Sequence, residues 1–456
     1  MNRKSRKRRT AAAAVLLWVA VIGPWPAWDR PFREAGYYRA TLDRLPAMPP
    51  PVGPAGRLRA GFAAAQLPSV DQPSGAWPRQ HLFATLGAEA PGAERLQASV
   101  LALDDGAHTL YLVSADLLVI TPALVAATLD ALRESGPPVD RAWIYFGATH
   151  THSGPGGLGD GIAEQAILGR FRRAFVHETG RRIAGALRQA QRELVPVEVG
   201  HTAVPVSEPL GNRLTPGGPT DPHLDILAVR EPGGRYLAAA LAYAAHPTTL
   251  GGEPRAPSAD YPGAVARHLR GRTGAGVLFL AGAVGNMTVV RDDLRGPDGS
   301  DRLGALLAEA AARALPRITY RREGRLAALR FPVSLPAPTI RLTHWAALSP
   351  VLPWLLLPGE ASLQVADVDG LVLVGVPGEF SGEESLRIRE AGRRRGVQTM
   401  VTSLNGEYIG YIVPDERYWA QNYETRWGTG YGPHLGGYIS AVMGEAIARV
   451  APPSPR

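Results

Sequence analysis

Short apolar runs alternate with longer amphipathic stretches along most of the chain from Leu58 onward. The short runs are rich in Val, Leu, Ile and Ala, which is typical of buried strands. We predict strands at Ser99–Asp104, Thr109–Asp116, Ala142–Thr149, Pro196–His201, Asp225–Arg230, Tyr236–Ala245, Val277–Gly282, Leu371–Pro377 and Val397–Leu404. We predict helices at Pro122–Ser135, Ala163–Glu193, Pro262–Gly271, Asp301–Ala314, Gly382–Arg394 and Gly437–Ala451. This alternation predicts one large α/β domain, residues 58–451, whose sheet is covered by helices.

The N-terminal residues do not fit this alternation. Six cations lie within residues 3–9, and an apolar run follows at Ala11–Ile22. This order is typical of an export signal, and an uncleaved membrane anchor is the alternative, so we expect residues 1–28 to be one of the two. Residues 29–57 are rich in proline and arginine and suit an extended linker.

A second exception is the apolar, proline-containing stretch from His344 to Gly359. Three prolines rule out a long regular helix here. The stretch is therefore either a buried irregular loop or an exposed apolar flap that touches lipid or covers a site. Trp345 and Trp354 fit an interfacial position.

Composition narrows the classes of protein that need to be considered. The chain has 456 residues, of which 45% are apolar, and this is ample for a sizeable core. The net charge of +8 falls to +2 once the six N-terminal cations are subtracted, so a nucleic-acid surface is not supported. Because the chain has no cysteine, disulfides, thiol nucleophiles and thiolate zinc sites are all excluded.

Candidate chemistry begins at "FGATHTHSGPGG", residues 146–157. His150 and His152 follow a predicted strand, and residues two apart in an extended chain point to the same side. A glycine-rich turn comes next, as at the sites of many α/β enzymes. The pair is either a metal or catalytic site or a hydrogen-bonded turn.

Two further residues share this position just beyond a predicted strand. His246 ends "YAAH", and Glu379 follows the strand in "VGVPGEF" through a Pro-Gly turn. Taken alone, His246 is explained as a buried structural histidine, and Glu379 as a carboxylate that the dipole of the following helix favours. Together, two imidazoles and a carboxylate form a typical catalytic zinc set, which leaves one position open for an activated water.

The segment Asn405–Tyr438 contains six tyrosines among glycine, tryptophan and charged residues. Phenol groups in such a loop bind a metal, donate to an oxyanion, or simply pack as amphipathic rings. The composition of the segment leaves all three roles open.

With these motifs in hand, the chain resembles the neutral/alkaline non-lysosomal ceramidases, which are zinc amidases that cleave the N-acyl bond of ceramide. The motifs that carry the resemblance are, in family order, "ATHTHSGPGG", "GNRL" at Gly211–Leu214, "AAHPTTL", "VPGEF" and "YIGYIVPDERYWAQNYE" with "YGPH" at Tyr431–His434. They extend over roughly residues 58–447. The resemblance implies an α/β domain built on a mixed sheet.

The resemblance also implies roles for individual residues. By position, zinc is ligated by His150, His246, Glu379 and Tyr411, with Tyr408 as the alternative tyrosine. His152 stands beside the metal, where it contacts substrate or relays protons, with a pKa near 7 suited to protonating the leaving amine. Arg213 lines the pocket.

The sequence departs from the family pattern in two places. The family's "GDVSPN" is replaced by "GAVGNM" at Gly282–Met287, so Gly285 stands in place of a serine and Ala283 in place of an aspartate. Hydrolysis would then rely on metal-bound water, or Asn286 would polarise the carbonyl. In addition, the ceramidases continue into an immunoglobulin-like C-terminal domain, which we expect to be absent here.

The function expected from the sequence is zinc-dependent hydrolysis of ceramide or a related N-acyl lipid, at or near a membrane surface. The alternatives are a hydrolase of other small or N-acyl amides and a zinc-dependent lipid-binding protein without catalysis.

Overall fold

The computed structural model describes residues 12–15, 18, 20, 21, 23–26, 29–45, 47, 55–69, 94–251 and 256–451. Much of the predicted export segment and most of the proline-rich part of the predicted linker lie outside the described residues. Within the described part of the chain, no helix is both long enough and apolar enough to cross a bilayer.

The strands, in chain order, are β1 (Pro24–Pro26), β2 (Gly56–Arg57), β3 (Arg59–Gln66), β4 (Gln97–Asp104), β5 (Thr109–Ala115), β6 (Ile144–Ala148), β7 (Val195–Pro196), β8 (Glu198–Pro205), β9 (Leu210–Asn212), β10 (His223–Arg230), β11 (Tyr236–Tyr243), β12 (Gly276–Ala281), β13 (Met287–Val289), β14 (Glu323–Gly324), β15 (Leu326–Ser334), β16 (Ala346–Leu348), β17 (Glu360–Val368), β18 (Leu371–Gly375), β19 (Glu379–Phe380), β20 (Gln398–Thr402) and β21 (Tyr411–Ile412). The α-helices are α1 (Gly36–Arg44), α2 (Pro122–Ser135), α3 (Ile162–Leu168), α4 (Arg173–Arg192), α5 (Asp260–Thr273), α6 (Gly296–Ala314), α7 (Val351–Leu356), α8 (Gly382–Arg394) and α9 (Leu435–Val450).

Three larger sheets form the centre of the fold. Their strand orders are β6-β5-β4-β3-β7, β12-β11-β10-β8 and β15-β17-β18-β20. Each sheet is mixed, because it combines antiparallel neighbours with one parallel pair, namely β5 with β6, β11 with β12, and β18 with β20. The predicted α/β fold with a mixed sheet and covering helices is therefore confirmed, with the sheet divided into three.

Strands that are buried on both faces connect these layers. Leu112, Leu278 and Leu373, one from each sheet, belong to the same central apolar cluster. The outer face of the first sheet packs against α2 and α4, that of the second against α5 and α6, and that of the third against α1, α8 and α9. This two-sided burial explains why the strands are nearly continuous apolar runs in the sequence.

Local signals in the sequence set the helix boundaries that were predicted best. Helix α2 begins after Thr121, whose side chain accepts a hydrogen bond from the Leu124 amide, and Pro122 occupies its first turn. Helix α8 begins after Ser381, which accepts from the Glu384 amide in the same way. Both helices have the predicted bounds.

Two predicted segments differ most from the structure. The helix predicted at Ala163–Glu193 is divided into α3 and α4, because the chain turns at Gly169, which has a positive φ of 84°. The extended linker is wrong for residues 36–44, which form α1. Tyr37, Tyr38 and Leu42 pack against the third sheet's outer cluster, so apolar burial stabilises this short helix.

Candidate metal centre

The three residues singled out by their position after a strand lie at corresponding places in the three sheets. His150 follows β6, His246 follows β11, and Glu379 follows β18. Each of these strands belongs to its sheet's parallel pair. Side chains that can bind a metal often meet beyond the carboxyl ends of strands, and this arrangement agrees with that expectation.

The backbone at His150 differs from the extended strand assumed for the His150–His152 pair. Strand β6 ends at Ala148, and His150 has a φ of 64°, in the left-handed region that a non-glycine residue rarely adopts. The His150 amide donates to the Leu117 carbonyl at 3.0 Å. A turn held by the neighbouring loop, rather than strand geometry, therefore aims the two rings at one place.

The three imidazoles converge through their Nε2 atoms. The Nε2 of His246 lies 3.1 Å from that of His150 and 3.0 Å from that of His152. His150 and His246 are buried, whereas His152 is half-buried. The three rings can hold a metal ion.

Hydrogen bonds on the far side of two rings fix which nitrogens are free to bind. His150 Nδ1 lies 2.7 Å from the Leu118 carbonyl oxygen, and His246 Nδ1 lies 3.1 Å from the Val284 carbonyl oxygen. A carbonyl oxygen only accepts, so in the neutral rings both Nδ1 atoms carry the proton and both Nε2 atoms present lone pairs. Two lone pairs facing each other at 3.1 Å repel unless a cation lies between them.

Glu379 adds a negative oxygen to the same place. Its Oε2 lies 3.5 Å from His150 Nε2 and 3.8 Å from His246 Nε2, and it has no hydrogen-bond partner among the described residues although it is buried. A buried, unpartnered carboxylate oxygen is costly without a counter-charge. The residues therefore fit a bound metal ion, and two imidazoles with one carboxylate match a catalytic zinc set.

The electrostatics keep these groups in the states that bind a metal. Although burial opposes it, the neighbouring His150 ring, the Tyr411 hydroxyl and Arg213 lower the pKa of Glu379 to about 2. Burial and the charge of Arg213 lower the pKa of His246 well below its usual value. The carboxylate is thus ionised and the His246 imidazole neutral near pH 7.

Both tyrosines considered as ligands lie beside Glu379. Tyr411 is paired directly with Glu379 in the parallel β19–β21 bridge, and its hydroxyl oxygen accepts a hydrogen bond from Arg213 Nη2 at 3.3 Å. The Tyr408 hydroxyl donates to Glu379 Oε1 at 2.8 Å. Tyr408 therefore orients the carboxylate, and the ligand role of Tyr411 that the resemblance implies stays a prediction.

Tyr408→Phe is expected to weaken metal affinity about 10- to 100-fold, because Glu379 loses the hydrogen bond that orients it. Competition with a chromogenic chelator measures the affinity. Tyr418→Phe is the matched control, since the buried Tyr418 hydroxyl has no hydrogen-bond partner in the described part of the chain. Equal affinities for the two variants would contradict the orienting role of Tyr408.

Arg213 reaches the site as the resemblance implies, and two partners that the sequence did not single out hold it there. Its Nε donates to Glu424 Oε1 at 2.7 Å, and its Nη2 donates to the Gly285 carbonyl at 2.7 Å. The guanidinium also lies 5.5 Å from the centre of the Tyr423 ring. Tyr423 and Glu424 are the last two residues of the tyrosine motif quoted above. An acid next to a phenol in that motif was the only feature of the sequence that could have indicated them as partners of an arginine.

His152 occupies the expected place but not the expected protonation range. Burial, followed by the charge of His150, lowers its pKa to about 3. This pKa lies below the value near 7 that suits protonation of the leaving amine, because the ring is buried beside His150, and the proton-handling role of His152 stays a prediction. Near neutral pH, His152 is an uncharged imidazole beside the other two rings.

The side chain of Asn286 is occupied by hydrogen bonds within the protein. It is buried, and its Nδ2 donates to Asn212 and Glu383 while its Oδ1 accepts from the Gly382 amide. Both ends of the amide thus fasten the loop to the start of α8. These contacts give Asn286 a structural role, and its action on a substrate carbonyl stays a prediction.

Gly285 lies directly against the backbone of β19. Its amide donates to the Phe380 carbonyl at 2.8 Å. An ideal Cβ on Gly285 would lie 2.6 Å from the Glu379 carbonyl oxygen and 2.9 Å from the Phe380 carbonyl oxygen. At the position where the family pattern has a serine, the backbone of β19 therefore lies too close to leave room for a side chain.

Comparison with known proteins finds similarity to neutral ceramidases. No protein-family model matches the chain. It is 32% identical over 120 residues to neutral ceramidase B of Dictyostelium discoideum, covering 23% of this chain and 16% of that protein. It is 35% identical over 94 residues to neutral ceramidase A of the same organism (19% and 13%) and 30% identical over 110 residues to the neutral ceramidase of Oryza sativa subsp. japonica (22% and 14%). The match thus spans less than a fifth of each relative.

The likeness of the folds extends much further along the chain. The crystal structure of neutral ceramidase from Pseudomonas aeruginosa superposes with a TM-score of 0.74 at 20% identity, covering 88% of this chain and 76% of that one. A ceramidase complexed with C2 superposes with a TM-score of 0.73 at 19% identity and the same coverage. At these identities, the superpositions establish the shared fold.

Proposed function

We propose that the chain is a member of the neutral ceramidase family and a zinc-dependent amidohydrolase; the sequence matches to three neutral ceramidases and the shared fold support this. Its substrate would be ceramide or a related N-acyl lipid, whose amide bond it hydrolyses. The observation that carries the proposal is the meeting of the unprotonated Nε2 atoms of His150 and His246 with the unpartnered Oε2 of Glu379.

His150, His246, Glu379 and Tyr411 would hold the zinc ion. When bound, zinc lowers the pKa of a water molecule and polarises a carbonyl oxygen, so that hydrolysis proceeds at neutral pH. The protein prepares its ligands through the carbonyl oxygens of Leu118 and Val284, which keep the protons of His150 and His246 on Nδ1.

The other side chains would act on the substrate itself. Arg213 brings a fixed positive charge that favours negative charge developing on the amide oxygen. His152 Nε2 would take up a proton as water adds to the carbonyl carbon. It would then pass that proton to the leaving amine nitrogen as the C–N bond breaks. The products are a fatty acid and a free amine.

Gly285 favours water rather than a serine hydroxyl as the nucleophile in this proposal, since position 285 has neither a hydroxyl nor room for one. The same residue motivates the second candidate function, a zinc-dependent lipid-binding protein that does not hydrolyse its ligand. Long incubation of ceramide with stoichiometric protein separates the two, because only the enzyme releases fatty acid.

A substrate panel tests the lipid class. Ceramide, N-acyl amino acids and short acyl amides should be compared by mass spectrometry of the released amine. We expect turnover of ceramide or another long-chain N-acyl lipid to exceed that of the short amides. Turnover of short amides alone would contradict a lipid substrate, and no turnover of any amide would contradict the amidase.

We also propose that the N-terminal segment exports the protein or anchors it at the membrane. Six cations followed by an apolar run are the supporting sequence features. Fractionation of cells is expected to recover the protein with the membrane or outside the cytoplasm. Recovery of all of it in the cytoplasmic fraction would contradict this assignment.

A further inference from the structure

The apolar stretch between β15 and β17 is exposed rather than buried. Residues 345–358 include no acidic or basic side chain, yet three of their large apolar side chains lie largely in solvent and a fourth is partly exposed. These four, called here the apolar flap, are Trp345, Val351, Trp354 and Leu355, and they are 72%, 42%, 69% and 65% exposed. Several exposed large apolar side chains within one short segment are typical of an interaction site.

Short helix α7 turns these side chains outward. Pro353 is buried on the inner side of the helix, whereas Trp354 and Leu355 are exposed. A one-turn helix cannot be stable by itself, so its inner contacts and the adjoining strand β16 hold it in place. The two tryptophans are the residue type that is enriched where a bilayer meets water.

The base of the flap is fastened to the N-terminal segment. Strand β1 pairs with β16 in antiparallel register, joining Trp25 to Ala347. The Ser349 amide donates to the Gly23 carbonyl at 2.8 Å, and the Ser349 hydroxyl donates to the Ala20 carbonyl. The apolar run that follows six cations in the sequence therefore meets the molecule at the flap.

The same base is fastened to the loop that carries the site's aromatic residues. The fully buried Arg341 donates to the carbonyl oxygens of Ala420 and Thr425, which flank Tyr423. The Tyr423 ring contacts the Tyr411 ring edge-on at 5.7 Å. Trp427, also 61% exposed, lies in this loop. The flap is thus connected through one loop to the metal centre.

We propose that the apolar flap docks onto the interface of a lipid bilayer. The flap supplies the apolar contact, and the N-terminal segment that is fastened to its base through Ala20 and Gly23 brings a second apolar surface to the same place. This inference deepens the proposed function, on which it rests for the location of the substrate, because a bilayer at the flap brings an N-acyl lipid to the metal centre.

Site-specific labelling tests the proposal, since the chain has no cysteine and one introduced thiol takes up the only label. Full-length protein carrying Leu355→Cys is labelled with an environment-sensitive fluorophore and mixed with phosphatidylcholine vesicles containing phosphatidylglycerol. We expect the emission to shift to the blue, to rise several-fold, and to be quenched by lipids with nitroxide-bearing acyl chains. The matched control is Val195→Cys on β7, a partly exposed apolar residue, whose label should not respond.

Three results would overturn the proposal. The first is vesicle binding by sedimentation with no response at position 355, which would assign all membrane contact to the N-terminal segment. The second is a response at position 355 that rises with protein concentration in the absence of vesicles, which would make the flap a contact between copies. The third is no vesicle binding. Because no turnover is measured, each result is independent of the amidase activity.

A variant without label separates lost contact from misfolding. Trp345→Ser combined with Trp354→Ser is expected to weaken vesicle affinity at least about tenfold, while the circular dichroism spectrum and the zinc content stay unchanged. Unchanged vesicle affinity in this folded variant would contradict docking by the flap.

Discussion

The His246→Ala variant is expected to lose bound zinc and to hydrolyse amides at least about 1,000-fold more slowly than the wild-type protein. His246 Nε2 is the atom nearest to both other imidazoles, at 3.1 and 3.0 Å, so its removal opens the ligand set at its centre. Zinc per chain, measured by elemental mass spectrometry, is expected to fall from about one to below a tenth. His268→Ala is the matched control, because His268 is a partly exposed histidine paired with Asp301.

Thermal unfolding shows whether the loss reflects the metal site or the fold. A ligand that binds only the folded state stabilises it, so a chelator should lower the melting temperature of the wild-type protein. His246→Ala should melt at the same temperature with and without the chelator. A variant that kept its zinc, or whose activity survived, would contradict the assignment of His246 as a ligand.

The Gly285→Ser variant, which restores the residue of the family pattern, is expected to be less stable and less active than the wild-type protein. A Cβ at this position meets two backbone carbonyl oxygens of β19, at 2.6 and 2.9 Å, and one of them belongs to Glu379. Overpacking against the backbone costs about 1–3 kcal/mol of unfolding free energy, and here it would also displace Glu379, a proposed metal ligand. Denaturant unfolding and zinc affinity measure the two effects.

Two companion variants isolate the cause. Gly285→Ala introduces the same Cβ without a hydroxyl and should behave like Gly285→Ser. Gly233→Ser, in the turn between β10 and β11 where a Cβ meets open space, should leave both stability and zinc affinity unchanged. A stable Gly285→Ser protein with higher amidase activity than the wild type would show that the position still accepts a catalytic serine.

The sequence predicts those parts of this molecule that depend on local patterns. Buried strands such as β5 and β11 were visible as apolar runs, and helices α2 and α8 were visible from their capping residues. The division into three sheets depends on long-range pairing, which no local pattern specifies. Helix α1 was missed because its stability comes from contacts between Tyr37, Tyr38 and Leu42 and a distant sheet.

The same distinction applies to the metal centre. His150, His246 and Glu379 shared one feature of sequence, a place just beyond a strand, and the structure brings them together. The occupied amide of Asn286 depends on neighbours that are far away in the chain, and the lowered pKa of His152 depends first on burial, which arises only in the folded protein. Neither their charge state nor their hydrogen bonds could be predicted from the residues alone.

Titration of zinc into metal-free protein, with amide hydrolysis of ceramide as the readout, tests the proposed centre most directly. The facing Nε2 atoms of His150 and His246 and the unpartnered oxygen of Glu379 predict that activity is absent after chelation and returns linearly to a plateau at one equivalent of zinc. Full activity in the chelated protein, or a metal-free protein that binds no zinc, would contradict it.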